Sequence, residues 1–204
     1  MNGYSDRINH ALSFTAKHHH RHAPVLGRLA FIAHPANVAV ILARHGADEI
    51  TLVAGILHHV LEATPSPERR AMEQRICDKF GSVVLAVARD AAECCVDDHG
   101  APIPWVQRKR AFMSQLLAMG PRSLDICCAD EIHECGSAIA LVERMGPEYL
   151  DAHELANGPQ ALGWYGDLVV ALDRRVDWPA RGMRAELVAL RDRLADAIDR
   201  ATGG

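Results

Sequence analysis

From Ser5 onward, apolar residues recur every three or four positions, block after block, with polar residues filling the places between them. That is the period of helices with one buried face rather than the strict alternation of half-buried strands. A first helix is predicted from Ser5, an N-cap residue type, to His19. After the connecting segment "RHAPVLGRLAFIAHP", His34-Pro35 opens a second helix that runs to about Arg44, with Pro35 in the tolerated first turn. Gly46 stops it, and a third helix starts near Asp48. Further helices are predicted over 67–79, 82–95, 105–118, 121–145, 158–175 and 181–201. Gly81 separates two of them, and "VDDHGAPIP" is the most loop-like stretch. The pattern contains no repeat and no convincing strand, so the fold class is all-α.

The third helix breaks its own pattern. In "AGILHHVLEAT", residues 54–64, Ile56, Leu57, Val60 and Leu61 mark a buried face, yet His58 and His59 sit among them. Glu62 follows one turn after His58. Either the two imidazoles are hydrogen-bonded internal groups, or they hold something. A second interruption is Asp130, which follows the small apolar run Ile126, Cys127, Cys128, Ala129. A buried carboxylate needs a charge partner or a metal. Asp130, His133 and Glu134 share one helix face. Imidazole together with carboxylate suits manganese, iron, zinc, nickel or cobalt better than calcium.

Composition narrows the picture. The 204 residues suit a single domain, 1–204, with a motif-bearing core over about 5–146 and a C-terminal helical extension over about 158–201. Apolar residues make up 49% and aromatic residues only 5%, so Ala, Leu, Val and Ile must build the core, which again favours helices. The net charge of -4 and the mixing of signs exclude a phosphate-neutralising stripe, so nucleic acid is not the expected partner. The densest basic run, "VQRKRAF", reads as a solvated helix face. No apolar run reaches membrane-spanning length. The start "MNGYSDRINHALSF" lacks a hydrophobic signal core, and neither cysteine pair has CxxC spacing. A cytoplasmic protein with reduced thiols is expected, Cys127 and Cys128 serving as core fillers and Trp105 and Trp164 as packing residues.

The order of motifs adds a resemblance. "ALSFTAKHHHR", "FIAHPANVAVILARHGADEITLVAGILHHVLEAT", "ICDKFGSVVLAVARD", "PWVQRKRAF" and "CCADEIHE" resemble, in order, the motifs of HD-domain metal-dependent phosphohydrolases. The nearest branch is the (p)ppGpp hydrolase domain of RelA/SpoT-type enzymes and their small stand-alone relatives, whose tail helix "LGWYGDLVVAL" also resembles. The resemblance covers roughly residues 8–145 and implies an HD-domain helical bundle. It implies metal ligands at His34, His58 and Asp130, with a divalent cation, usually manganese, that activates water for attack on a diphosphate. It puts His59, a possible fourth ligand, in the place of the family's Asp, and Glu62 and Ala63 in the places of its acidic catalytic pair. Glu62 is then the surviving general base or water-positioning group. His19, from the run His18, His19, His20 and His22, is expected near the pocket, as are His133 and Glu134. Glu131 and Glu134 replace a basic residue and an Asn, adding carboxylates where a polyphosphate would lie.

Three functions follow. The first is a phosphohydrolase acting on a nucleotide or another phosphorylated small molecule, with altered activity. The second is a degenerate HD domain that binds a ligand or regulates without turnover. The third is an HD-type mixed-iron oxygenase using the additional histidines and carboxylates. A monomer and a homodimer are equally expected.

Overall fold

A computed structural model describes residues 4–19, 30–97, 101–146, 158–178 and 180–203, without the side chains of residues 19, 30, 31, 158, 159 and 181. Nine helices occur among the described residues: α1 (Asp6–His19), α2 (Ala30–Arg44), α3 (Glu49–Glu62), α4 (Ser66–Phe80), α5 (Ser82–Ala91), α6 (Trp105–Leu116), α7 (Pro121–Met145), α8 (Gly158–Asp173) and α9 (Arg181–Thr202). The only pairing of extended backbone described is an isolated bridge between Val96 and Pro102. The chain divides into two compact units, residues 1–127 and 128–204, so that α7 starts in the first and ends in the second.

In the first unit α3 is the central element. Its residues Thr51 to Leu61 are all buried, as expected of a helix that is apolar on every side. It packs against α1, α2 and α5. Asp48 caps it, accepting the Thr51 N–H at 2.9 Å and the Thr51 hydroxyl at 2.8 Å. The other carboxylate oxygen of Asp48 accepts from Arg122 at 2.6 Å, tying the first turn of α7 to the start of α3. From α1, Thr15 donates to the Ile56 carbonyl at 3.2 Å, and Phe14 meets Phe80 of α4 edge-on with ring centroids 5.5 Å apart. Gly81, at φ +94°, turns the chain between α4 and α5, a backbone conformation that side chains oppose.

Two helix boundaries differ from the sequence pattern. The second helix begins at Ala30 rather than at His34, leaving Pro35 inside it. Pro35 lies close enough to the start that only the bond to the Phe31 carbonyl is lost, while Ile32 and Ala33 extend the helix. The fifth helix stops at Ala91 instead of continuing to 95, because Ala92 is extended at ψ 129° and hands the chain to contacts with α6.

In the second unit α8 and α9 pack together. Val142 of α7 clusters with Ala197 of α9, flanked by Leu141 and Ala201. On α8, Tyr165, Leu168 and Leu172 are fully buried, the i, i+3, i+7 spacing of a single apolar face. The indole N–H of Trp164 donates to Glu131 of α7 at 3.0 Å.

Candidate metal centre

The last turn and a half of α3 carries the site. His58 is 1% exposed and His59 7% exposed. Nδ1 of His58 is 2.7 Å from the carbonyl oxygen of Gly55. A carbonyl only accepts, so Nδ1 holds the ring proton and the lone pair lies on Nε2. Nδ1 of His59 is 2.9 Å from Oε2 of Glu62. A carboxylate also only accepts, so Nδ1 of His59 holds a proton and the neutral ring has its lone pair on Nε2. This is the arrangement in which a backbone or carboxylate acceptor orients an imidazole toward a metal. The two rings lie with centroids 3.8 Å apart, and His34 of α2, half-buried, meets the His59 ring edge-on at 4.3 Å.

Glu62 is held from both sides. Its Oε2 faces His59, while its Oε1 accepts the backbone N–H of Glu93 at 2.8 Å and lies 4.0 Å from Nε2 of His58. His58, His59 and Glu62 each offer one ligand atom, all within 4.8 Å of one another. Imidazole nitrogens with an oxygen donor at this separation suit a divalent transition ion. Ala63 caps the helix and offers only a methyl group where the resemblance expects a second carboxylate.

Glu93 and Lys109 are the residues that sequence reasoning missed. Glu93 follows the early end of α5, and its carboxylate accepts from Lys109 of α6 at 3.2 Å. Lys109 is 7% exposed, so the run "VQRKRAF" is not wholly a solvated face. The signal was available: Trp105, Lys109, Phe112 and Leu116 share a helical stripe, and all four are buried. Gln115 of the same helix donates to the Asp90 and Ala92 carbonyls at 2.8 and 3.3 Å, closing the end of α5. Burial, with the charges of Glu62 and Glu93 beside it, pushes the Cys95 thiol up to about 12, although Arg108 donates to its sulfur at 3.2 Å.

His19 closes α1, and its side chain, like His20 and His22, lies outside the described residues; the ring of His18 packs on Phe14 at 4.3 Å. Asp130, His133 and Glu134 are half-buried on the part of α7 that belongs to the second unit. Glu131 is corrected. It is 1% exposed and engaged by the Trp164 indole, an internal acceptor rather than an added carboxylate for a phosphate to meet. Trp164 is buried as expected, but it is also a hydrogen-bond donor. Burial, then the nearby acids Glu131 and Glu134, raise the Tyr165 hydroxyl well above its ordinary range and push the Cys135 thiol up to about 12. Cys127 and Cys128 are buried, as core fillers should be.

The comparisons with known proteins agree with this reading of the fold. The HD domain profile matches residues 11–134, more than half of the sequence. The chain belongs to the HD-domain family. Among solved structures, a metazoan ortholog of SpoT that hydrolyzes ppGpp and plays a role in starvation responses superposes with a TM-score of 0.67 at 20% identity, over 96% of this chain and 99% of that one. A Listeria monocytogenes EGD-e protein superposes with a TM-score of 0.65 at 20% identity, over 80% of this chain and 99% of that one. No curated protein matches the sequence. The expected HD-domain family is met by the profile, and the expected helical-bundle fold is shared with the structure of the ppGpp-hydrolyzing protein. HD domains bind divalent metals, and the described residues include groups of His, Asp and Glu that could hold one. No described helix is long and apolar enough to cross a membrane.

Proposed function

We propose that the chain is a metal-dependent phosphohydrolase of (p)ppGpp-hydrolase type, acting on a nucleotide or another phosphorylated small molecule in the cytoplasm. One observation carries the reading. Two adjacent buried imidazoles have their Nδ1 protons fixed by acceptors, at 2.7 and 2.9 Å, which turns both lone pairs to Nε2 beside a braced carboxylate. The proposed ligands are His34, His58 and Asp130, with His59 as the fourth; Asp130 is assigned by its place in the family's motif order. A divalent cation there, manganese by resemblance, supplies Lewis acidity and lowers the pKa of a bound water.

The chain's own groups do the rest. The Gly55 carbonyl and Glu62 hold the two imidazoles in register. Glu62 keeps a second lone pair on Oε1, and that atom takes up the proton of the attacking water. Ala63 has no carboxylate to share this work. Loss of one positioned acid or base costs about 10²–10⁴-fold in rate, so turnover is expected to be slow.

The test is an assay of purified protein loaded with manganese against guanosine tetraphosphate and simple nucleotides. Release of diphosphate or phosphate that disappears in His58→Ala is expected. Silence on every substrate, with turnover gained only by the double change His59→Asp and Ala63→Asp, would overturn the enzyme reading. A second reading, a binding module without turnover, is favoured by the missing acid at Ala63 and by the engagement of both oxygens of Glu62. Tight nucleotide binding with no product would select it.

A further inference from the structure

We propose that Glu93 and Lys109 are a positioning pair for Glu62. The inference rests on the reading that Glu62 serves the metal centre, and it assigns α6 a role in holding that centre from behind. The donor that fixes Oε1 of Glu62 is a backbone N–H, that of Glu93, at 2.8 Å. Glu93 lies past the end of α5, where Ala92 is already extended, so no helical hydrogen bonding keeps that N–H in place. Its placement comes from α6. Lys109 grips the Glu93 carboxylate at 3.2 Å, and Gln115 grips the Asp90 and Ala92 carbonyls at 2.8 and 3.3 Å.

The charges support the same conclusion. Glu62 and Glu93 both raise the Cys95 thiol, which places two carboxylates near one half-buried sulfur. Two neighbouring carboxylates repel unless a cation balances one of them. Lys109 is that cation for Glu93, with its ammonium 5.9 Å from the centroid of the Phe112 ring. The pair is 9% and 7% exposed, so water does little to screen it. From Lys109 the sequence of bonds runs to the Glu93 carboxylate, from the Glu93 N–H to Glu62, and from Glu62 to Nδ1 of His59. The ion pair described for Lys109 is with the Glu93 carboxylate. Its effect passes through the backbone of residue 93.

The experiment follows exchange of the His59 Nδ1 proton by NMR in the full-length, metal-free protein, with thermal melts to show that each variant is folded. Lys109→Met should speed that exchange at least about tenfold, while Lys109→Arg, which keeps the cation, should stay within about twofold of the parent. Should Lys109→Met fail to fold, the double variant Glu93→Gln, Lys109→Met removes both buried charges and should show the same acceleration. A folded variant of either kind whose His59 proton exchanges as in the parent overturns the proposal. A parallel manganese titration keeps the two readings apart. A parent chain that binds no manganese sinks the metal-centre reading, while the exchange rates still decide whether the pair positions Glu62.

Discussion

Glu62 is the residue on which the site turns, because it must accept from the His59 ring and from the Glu93 N–H at once. Glu62→Gln keeps the shape but leaves a single acceptor oxygen. Either the Glu93 N–H loses its partner, or His59 flips its tautomer and puts a proton where the lone pair should be. The expected outcome is a fall in manganese affinity of about 10–100-fold, measured by calorimetric titration. Gly55 is constrained differently. A methyl group there would meet Cδ1 of Leu42 at 2.7 Å, Cγ1 of Ile126 at 3.6 Å and Cγ1 of Val38 at 3.8 Å, all on fully buried residues. Gly55→Ala should therefore destabilise by about 1–3 kcal/mol in urea unfolding, although alanine is the better helix former. Unchanged or increased stability would contradict the packing described. At this scale His58, His59 and Glu62 were legible as polar residues on an apolar face. The Glu93 contribution was not, because a backbone N–H carries no signature in the sequence.

Asp48 joins two helices as well as capping one. Its carboxyl is lowered from 3.8 to about 2, first by the hydrogen bond from Arg122 and then by the Thr51 donors, against the effect of burial. The folded value lies below the unfolded one, so the contribution to stability is present above pH 4 and fades as pH falls toward 2. Asp48→Ala is expected to remove about 1 kcal/mol near neutrality. In urea titrations at stepped pH, the difference between parent and variant should shrink through that acid window; a difference that holds at pH 2 would rule out the capping account. The start of α3 was readable because Asp is an N-cap residue type. The tie to Arg122 was not, since it joins residues 74 apart in sequence. The early stop of α5 was hidden for the same reason: Ala91 and Ala92 are both good helix formers, and contacts from α6 decide between them.

For the whole molecule, the all-α class and the family's motif order were legible from periodicity and from quoted segments. The destination of Glu131 was not, since its partner Trp164 comes 33 residues later. Metal binding should register globally. A ligand that binds only the folded chain, at 100 times its dissociation constant, adds about 2.7 kcal/mol of stability. Manganese is therefore expected to raise the melting temperature, a chelator to reverse the rise, and His59→Ala to abolish it. An identical rise in that variant would locate binding elsewhere.

The Cys95 thiol has one more consequence. Sulfur this close to a candidate reaction centre would ordinarily make it vulnerable to peroxide and to electrophiles, which attack the thiolate. Burial and the neighbouring acids disfavour the Cys95 thiolate, the form that reacts, while its neighbour Cys94 is exposed. Burial first, and then the same acids that would serve the chemistry, work against ionisation of that sulfur.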